Sequence, residues 1–346
     1  MAKFAKEANK AAQALNTTTN TYAKAALIYY QQGLDDKQVK ERTDLTIKMA
    51  NVTGNTAMTV SEQLTAIWNN FDDGSRSLES YIDVITALGA STAASTREIA
   101  EGLEKFAAIS RTVGLSYEYA TSALATVVAK TRQSADVVGT AFKTLFARIQ
   151  DLELGKTLDD GTTLGRYSQA LATIGVNIKN ANGELKDMDD ILDELGAKWD
   201  QIDRGTQVAV AQAVGGTRQY QQLIAILDNW DYMQKNLNVA AGSEGTLSRQ
   251  AEIYAESWEA AKNRVKASAE EIYKTLLDDK FFISITNGFS KFLNIISELL
   301  DGLGGVKGLL LTISSIIVTR YMAELPRLMG NVANSIGVLF GAGNRQ

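Results

Sequence analysis

Proline occurs once in the 346 residues, at Pro326. Proline removes a backbone donor and clashes with the preceding helical turn, so its absence elsewhere leaves long helices uninterrupted. The pattern predicts an all-α chain with a multi-helix core, a long seam-bearing helix and one small β-hairpin near residues 174–188. With 45% apolar residues there is material for at least one core.

Apolar spacing divides the chain into four parts. In residues 1–42, Phe4, Ala8, Ala11 and Leu15, then Tyr22, Ala26 and Tyr29, recur at steps of three and four, and Gly33 offers a C-cap. Residues 43–240 carry shorter, punctuated helices. Thr59-Val60-Ser61-Glu62 and Ser95-Thr96-Arg97-Glu98 both fit the capping box. Ile99, Leu103, Phe106, Ile109 and Val113 line one helix face before Gly114, and Val138, Phe142, Leu145, Phe146 and Ile149 repeat the pattern. Val176-Asn177-Ile178 and Glu184-Leu185-Lys186 flank Asn182-Gly183, which suits a hairpin turn. Helical spacing resumes with Ile191, Leu192, Leu195, Trp199 and Ile202.

Residues 241–280 hold the strongest periodicity. Leu247, Ala251, Tyr254, Trp258, Ala261, Val265, Ser268 and Ile272 advance by four and three, a heptad seam for packing or association. Residues 281–346 are apolar and glycine-rich, and a boundary is expected near Asp278–Lys280. Within them Gly308–Thr319 carries no charge, yet it falls short of the roughly 20 residues that span a bilayer and reads as a buried helix.

Composition closes several functional classes. The chain has no histidine and no cysteine, which removes Ser-His-Asp and Cys-His nucleophile systems, HExxH sites, disulfides and thiolate metal sites. No serine is followed three residues later by lysine. A net charge of −5 disfavours binding to nucleic acid, which needs clustered Lys and Arg. The N-terminus lacks the apolar run of a signal peptide, and synthesis in a cytoplasm is expected.

Three local motifs fail on inspection. Gly155-Lys156-Thr157 lacks the first phosphate-loop glycine, because Gln150 stands there. Glu256-Ser257, a faint likeness to the catalytic glutamate of lytic transglycosylases, lies among heptad residues and reads as a solvated helix face. Asn180, Asn182 and Gly183 sit in a calcium-loop-like run, but Ile178 and Asp189 occupy positions where the ligands belong. Asp187, Asp189 and Asp190 are expected to complement a helix N-terminus. No catalytic, cofactor or metal residue is assigned.

Taken in order, Thr59–Phe71 (TVSEQLTAIWNNF), Ser95–Gly114 (STREIAEGLEKFAAISRTVG), Gly139–Gln150 (GTAFKTLFARIQ), Ile174–Asp200 with its LKDMDDILDELGAKWD, and Gly215–Tyr220 (GGTRQY) resemble the core of phage tail tape measure proteins over about Ala50–Ala240. Gly215, Gly216, Thr217 and Arg218 match the family's Gly-Thr-Arg signature. Full members are much longer, so the chain looks like a fragment or the ordered part of one. The resemblance implies a non-enzymatic, multicopy helical scaffold and length ruler. Tail tube subunits polymerise around it inside the tube, and it leaves during genome delivery. It implies further partners as well: copies of itself, a trimer being one such form, baseplate or tail-tip proteins and tail assembly chaperones. No specific nucleic acid is implied.

Two other readings remain open at this stage. One is a membrane-perturbing ejection component acting through residues 281–346, which would contact the host membrane; the other is a cell-wall hydrolase. Trp199 is expected in the core or at a partner. Arg218 and Arg148 are expected to hydrogen-bond carbonyls at a helix end or to bridge to Asp or Glu, with an exposed helix surface as the alternative for Arg148, and Trp230 is singled out beside them.

Overall fold

The computed structural model describes the backbone of residues 2–276 and the side chains of residues 6–271. The side chains of Phe4 and Ile272, the expected boundary at Asp278–Lys280, Pro326, and the apolar segment of residues 281–346 lie outside them. The described backbone forms 14 α-helices and one 3-10 turn, and it contains no strand. The expected hairpin reduces to one antiparallel bridge, Lys179 to Leu185, closed by Lys186 N–H donating to Ile178 O at 2.9 Å with Gly183 at φ +84°.

Helix starts follow hydroxyls and carboxylates. Helices α1 (Ala2–Ala14) and α2 (Thr19–Gln31) form a hairpin, with Thr18 capping α2. Asp35 and Gln38 make a reciprocal capping box for α3 (Asp36–Thr53). Helix α4 (Ala57–Phe71) corrects one expectation, because its N-cap is Thr56 and not Thr59. Gly54 ends α3 in the left-handed region, so the chain can re-enter a helix at once. Thr56 accepts from Thr59 N–H at 3.2 Å, and Thr59 is already helical. Helix α5 is Leu78–Ser91, and α6 (Thr96–Ser110) opens with the expected Ser95–Glu98 box. The 3-10 turn Arg111–Val113 ends at the left-handed Gly114.

Helix α6 lies at the centre of the described fold, packed by α4, α5, α7 (Tyr117–Thr131) and above all α8 (Ala135–Glu153). At the α6–α8 crossing Gly102 meets Gly139, and a Cβ on Gly139 would overlap the Gly102 carbonyl. That approach brings Phe106 within 5.3 Å of Phe142 edge-on and 5.9 Å of Phe146, ring centre to ring centre. All five α8 positions read as one apolar face are buried, Val138, Phe142, Leu145, Phe146 and Ile149.

Helix α11 (Arg204–Leu227) packs on α7 and α8, α12 (Trp230–Ala241) on α7 and α5, and α9 (Leu164–Ala172) and α10 (Met188–Trp199) lie against α11. The predicted long helix is in fact two, α13 (Thr246–Ala255) and α14 (Trp258–Leu276). The heptad spacing continues across the break, but Ser257 starts a new helix, its hydroxyl accepting from Ala260 N–H at 3.1 Å. The local cap outweighs the periodic signal. None of the described helices is long and apolar enough to cross a membrane.

Candidate functional site

The family signature lies where α11 bends. Gly216 has φ 67° and ψ 178°, a conformation effectively restricted to glycine, and it divides α11 into two helical stretches. Gly215 presses on the backbone of Tyr220, where a Cβ would lie 2.9 Å from the Tyr220 Cα. The Arg148 guanidinium covers the bend, 3.3 Å from where a Gly216 Cβ would sit.

From that position Arg148 clamps the loop between α8 and α9. Its Nη1 pairs with Asp160 Oδ2 at 2.7 Å, and its Nη2 donates to Thr162 Oγ1 at 2.8 Å. Burial opposes ionisation of Asp160, but hydrogen bonds from Thr162 and the Arg148 charge hold its carboxyl below the usual range. Arg148 therefore bridges to an aspartate, as one of its two expected roles had it, and is largely buried instead of displayed on the helix surface. Thr217 and Arg218 are exposed, and Arg218 has no hydrogen bond or ion pair among the described residues.

Both singled-out tryptophans join helices. Trp199 is 1% exposed, and its indole N–H donates to Asp228 Oδ1 at 2.6 Å. The Trp230 ring lies flush on Gly196 of α10, where any side chain would overlap it.

The seam residues do not share one environment. Leu247 is buried, Ala251, Tyr254, Ala261, Val265 and Ser268 are half-buried, and Trp258 is 67% exposed. After the break, Ala260 and Ala267 face inward. Glu256 is exposed, as expected of a solvated face.

The three aspartates do mark a helix start. Asp187 is the N-cap of α10, and Asp189 and Asp190 fill its first turn. Asp189 also accepts the Ser116 N–H at 3.2 Å, which ties α10 to the start of α7, while Asp193 accepts from Tyr119 Oη at 2.7 Å. Burial is the main cause that pushes Asp189 up to about 6, opposed by the Ser116 hydrogen bonds and reinforced by the charges of Asp193 and Asp187.

Sequence reasoning missed Asp83. This carboxylate, 4% exposed in the apolar helix α5, accepts Leu247 N–H at 2.7 Å and Gly245 N–H at 2.9 Å, capping α13 from another helix. The signal was one charge inside the apolar run Tyr81–Leu88, where a buried carboxylate demands donors. Among the described residues no group of three or more acidic side chains is arranged to hold a metal.

The described side chains thus define an all-α protein in which several buried polar groups, Asp83 and Trp199 among them, join one helix to another. Residues 5–216 match the family model of the phage-related minor tail proteins, and the chain belongs to that family. The match runs from within α1 to the Gly216 bend in α11. Membership gives it a structural role in a phage tail. No solved structure matches the chain.

Proposed function

We propose that the chain is the tape measure protein of the tail, a helical scaffold that sets tube length and works without covalent catalysis. The observation that carries this reading is the match of residues 5–216, covering most of the helical core, together with the ordered tape-measure-like segments. On this reading it occupies the tube lumen, self-associates, touches tube, tail-tip and chaperone proteins, and leaves with the genome.

Helical length is the quantity a ruler uses. Each helical residue adds about 1.5 Å, so an in-frame duplication of about 100 helical residues should lengthen the tail by roughly 150 Å. Electron microscopy of such particles, and of particles lacking the gene, tests the proposal. Unchanged tails in both would overturn it. Peptidoglycan turnover by the purified chain would overturn the non-catalytic part.

A further inference from the structure

The turn over residues 180–184 lies outside the signature bend and the helix joints, and its asparagines differ in how they are held. Asn180, Asn182 and Gly183 are all exposed. The Asn180 side-chain oxygen accepts Asn182 N–H at 3.0 Å and Glu184 N–H at 3.1 Å, while its amide nitrogen donates to Glu184 Oε2 at 3.2 Å. That side chain is tied at both ends. The Asn182 carboxamide makes no hydrogen bond among the described residues and is free to turn in water.

The residue after Asn182 decides what that freedom allows. Gly183 has φ +84°, and nothing lies within 4 Å of where its Cβ would be. Its nitrogen therefore lacks the side-chain branch that shields the main-chain nitrogen of every other residue type. One bond opposes attack by that nitrogen, because Gly183 N–H donates to Asn180 O at 3.0 Å. It joins two exposed residues in a loop closed by a single bridge, so it opens at little cost. Asn180 is followed by Ala181 and serves as an internal control.

We propose that Asn182 is a site of spontaneous deamidation, with water as the co-reactant. A solvent base takes the Gly183 N–H proton, and the nitrogen attacks Asn182 Cγ. The new N–C bond closes a succinimide ring as the Cγ–Nδ2 bond breaks, and Nδ2 takes up a proton and leaves as ammonia. Water then adds to either ring carbonyl and opens the ring to aspartate or isoaspartate. An amide is replaced by a carboxylate with no oxidation. Isoaspartate also inserts a methylene into the main chain between residues 182 and 183. That insertion disturbs the Gly183-to-Asn180 bond and the Lys186-to-Ile178 bond, which closes the turn at 2.9 Å just before the Asp187 cap of α10.

The test ages the full chain at mildly alkaline pH and follows it by tryptic mass spectrometry and hydrogen exchange. Cleavage after Lys179 and Lys186 isolates residues 180–186 from the other Asn-Gly pair, Asn287-Gly288. The amide-to-carboxylate mass gain should accumulate on Asn182 ahead of Asn180, and the Lys186 amide should lose protection in step. Asn182→Gln should stay unmodified and protected, because the longer side chain closes a ring slowly and the one it replaces makes no hydrogen bond. Freshly prepared Asn182→Asp carries the charge without the inserted methylene and should also keep its protection. An Asn182 that converts no faster than Asn180 overturns the site. Modified wild type that keeps Lys186 protection, or fresh Asn182→Asp that has lost it, overturns the main-chain insertion as the cause of loosening.

Discussion

The α6–α8 crossing and the docking of α13–α14 hold helices together by opposite means. At the crossing, two glycines bring the backbones close and three phenylalanines, Phe106, Phe142 and Phe146, fill the space with no polar atom of their own. At the docking, few large apolar side chains are buried and carboxylates do the joining. Asp83 caps α13, Glu79 accepts from Ser248 at 2.7 Å and from Lys48 at 3.2 Å, and Glu270 accepts Thr19 N–H at 2.7 Å. Asn9 adds a hydrogen bond to Ala267 O at 3.0 Å. Apolar burial is non-directional and indifferent to protonation, whereas these joints need particular donors and charges. The contrast teaches that α13–α14 should open locally at a lower free energy than the crossing.

The largest effect should come from the crossing. Phe142→Ala removes a fully buried ring from the trio and should cost about 3–5 kcal/mol in denaturant unfolding. A loss under about 1 kcal/mol would show that the site collapses freely and that the two joints differ less than their chemistry indicates.

Asp83→Asn should come next. The amide can still accept one N–H but carries no charge, so the start of α13 should lose about 2 kcal/mol. Hydrogen exchange separates the two joints: the Leu247 amide should exchange faster in this variant while amides of α6 keep their protection. Equal acceleration in both would mean that α13 is part of the core's cooperative unit.

A third, smaller effect concerns the carboxylate joint between α10 and α7. The folded pKa of Asp189, about 6, lies above its ordinary value, so the folded state binds more protons than the unfolded one between roughly pH 4 and 6. The ionised group therefore destabilises the fold above pH 6. Stability from this residue should rise, on the order of 1 kcal/mol, as pH falls through that window. Asp189→Asn should remove that contribution from the pH profile, and an unchanged profile would count against it.

These joints also explain what could be read before the structure. The helical class, the Ser95–Glu98 cap, the α8 face and the aspartates at the start of α10 were all legible, because each depends on local spacing. The Arg148–Asp160 clamp was half legible: Arg148 stood out, but its partner depends on how the loop after α8 folds back. Asp83 and Glu270 serve helices far away in sequence, and no local pattern encodes such a partner. The heptad after Leu247 misled for the same reason in reverse. A strong period suggested continuity, and one serine hydroxyl at residue 257 ended it.

Trp258 tests that last point with the smallest expected effect. As a seam residue inside one continuous helix it would be a packed ring, and truncation would cost several kcal/mol. At the first position of α14 it is 67% exposed, so Trp258→Ala should change unfolding stability by less than about 0.5 kcal/mol. Leu247→Ala, at a fully buried position of the same heptad, should cost about 2–5 kcal/mol. If the two variants instead cost the same in the isolated chain, the break at Ser257 does not persist in solution. If Trp258→Ala leaves the isolated chain untouched but weakens self-association, as followed by light scattering, the exposed half of the heptad is where copies of the chain meet.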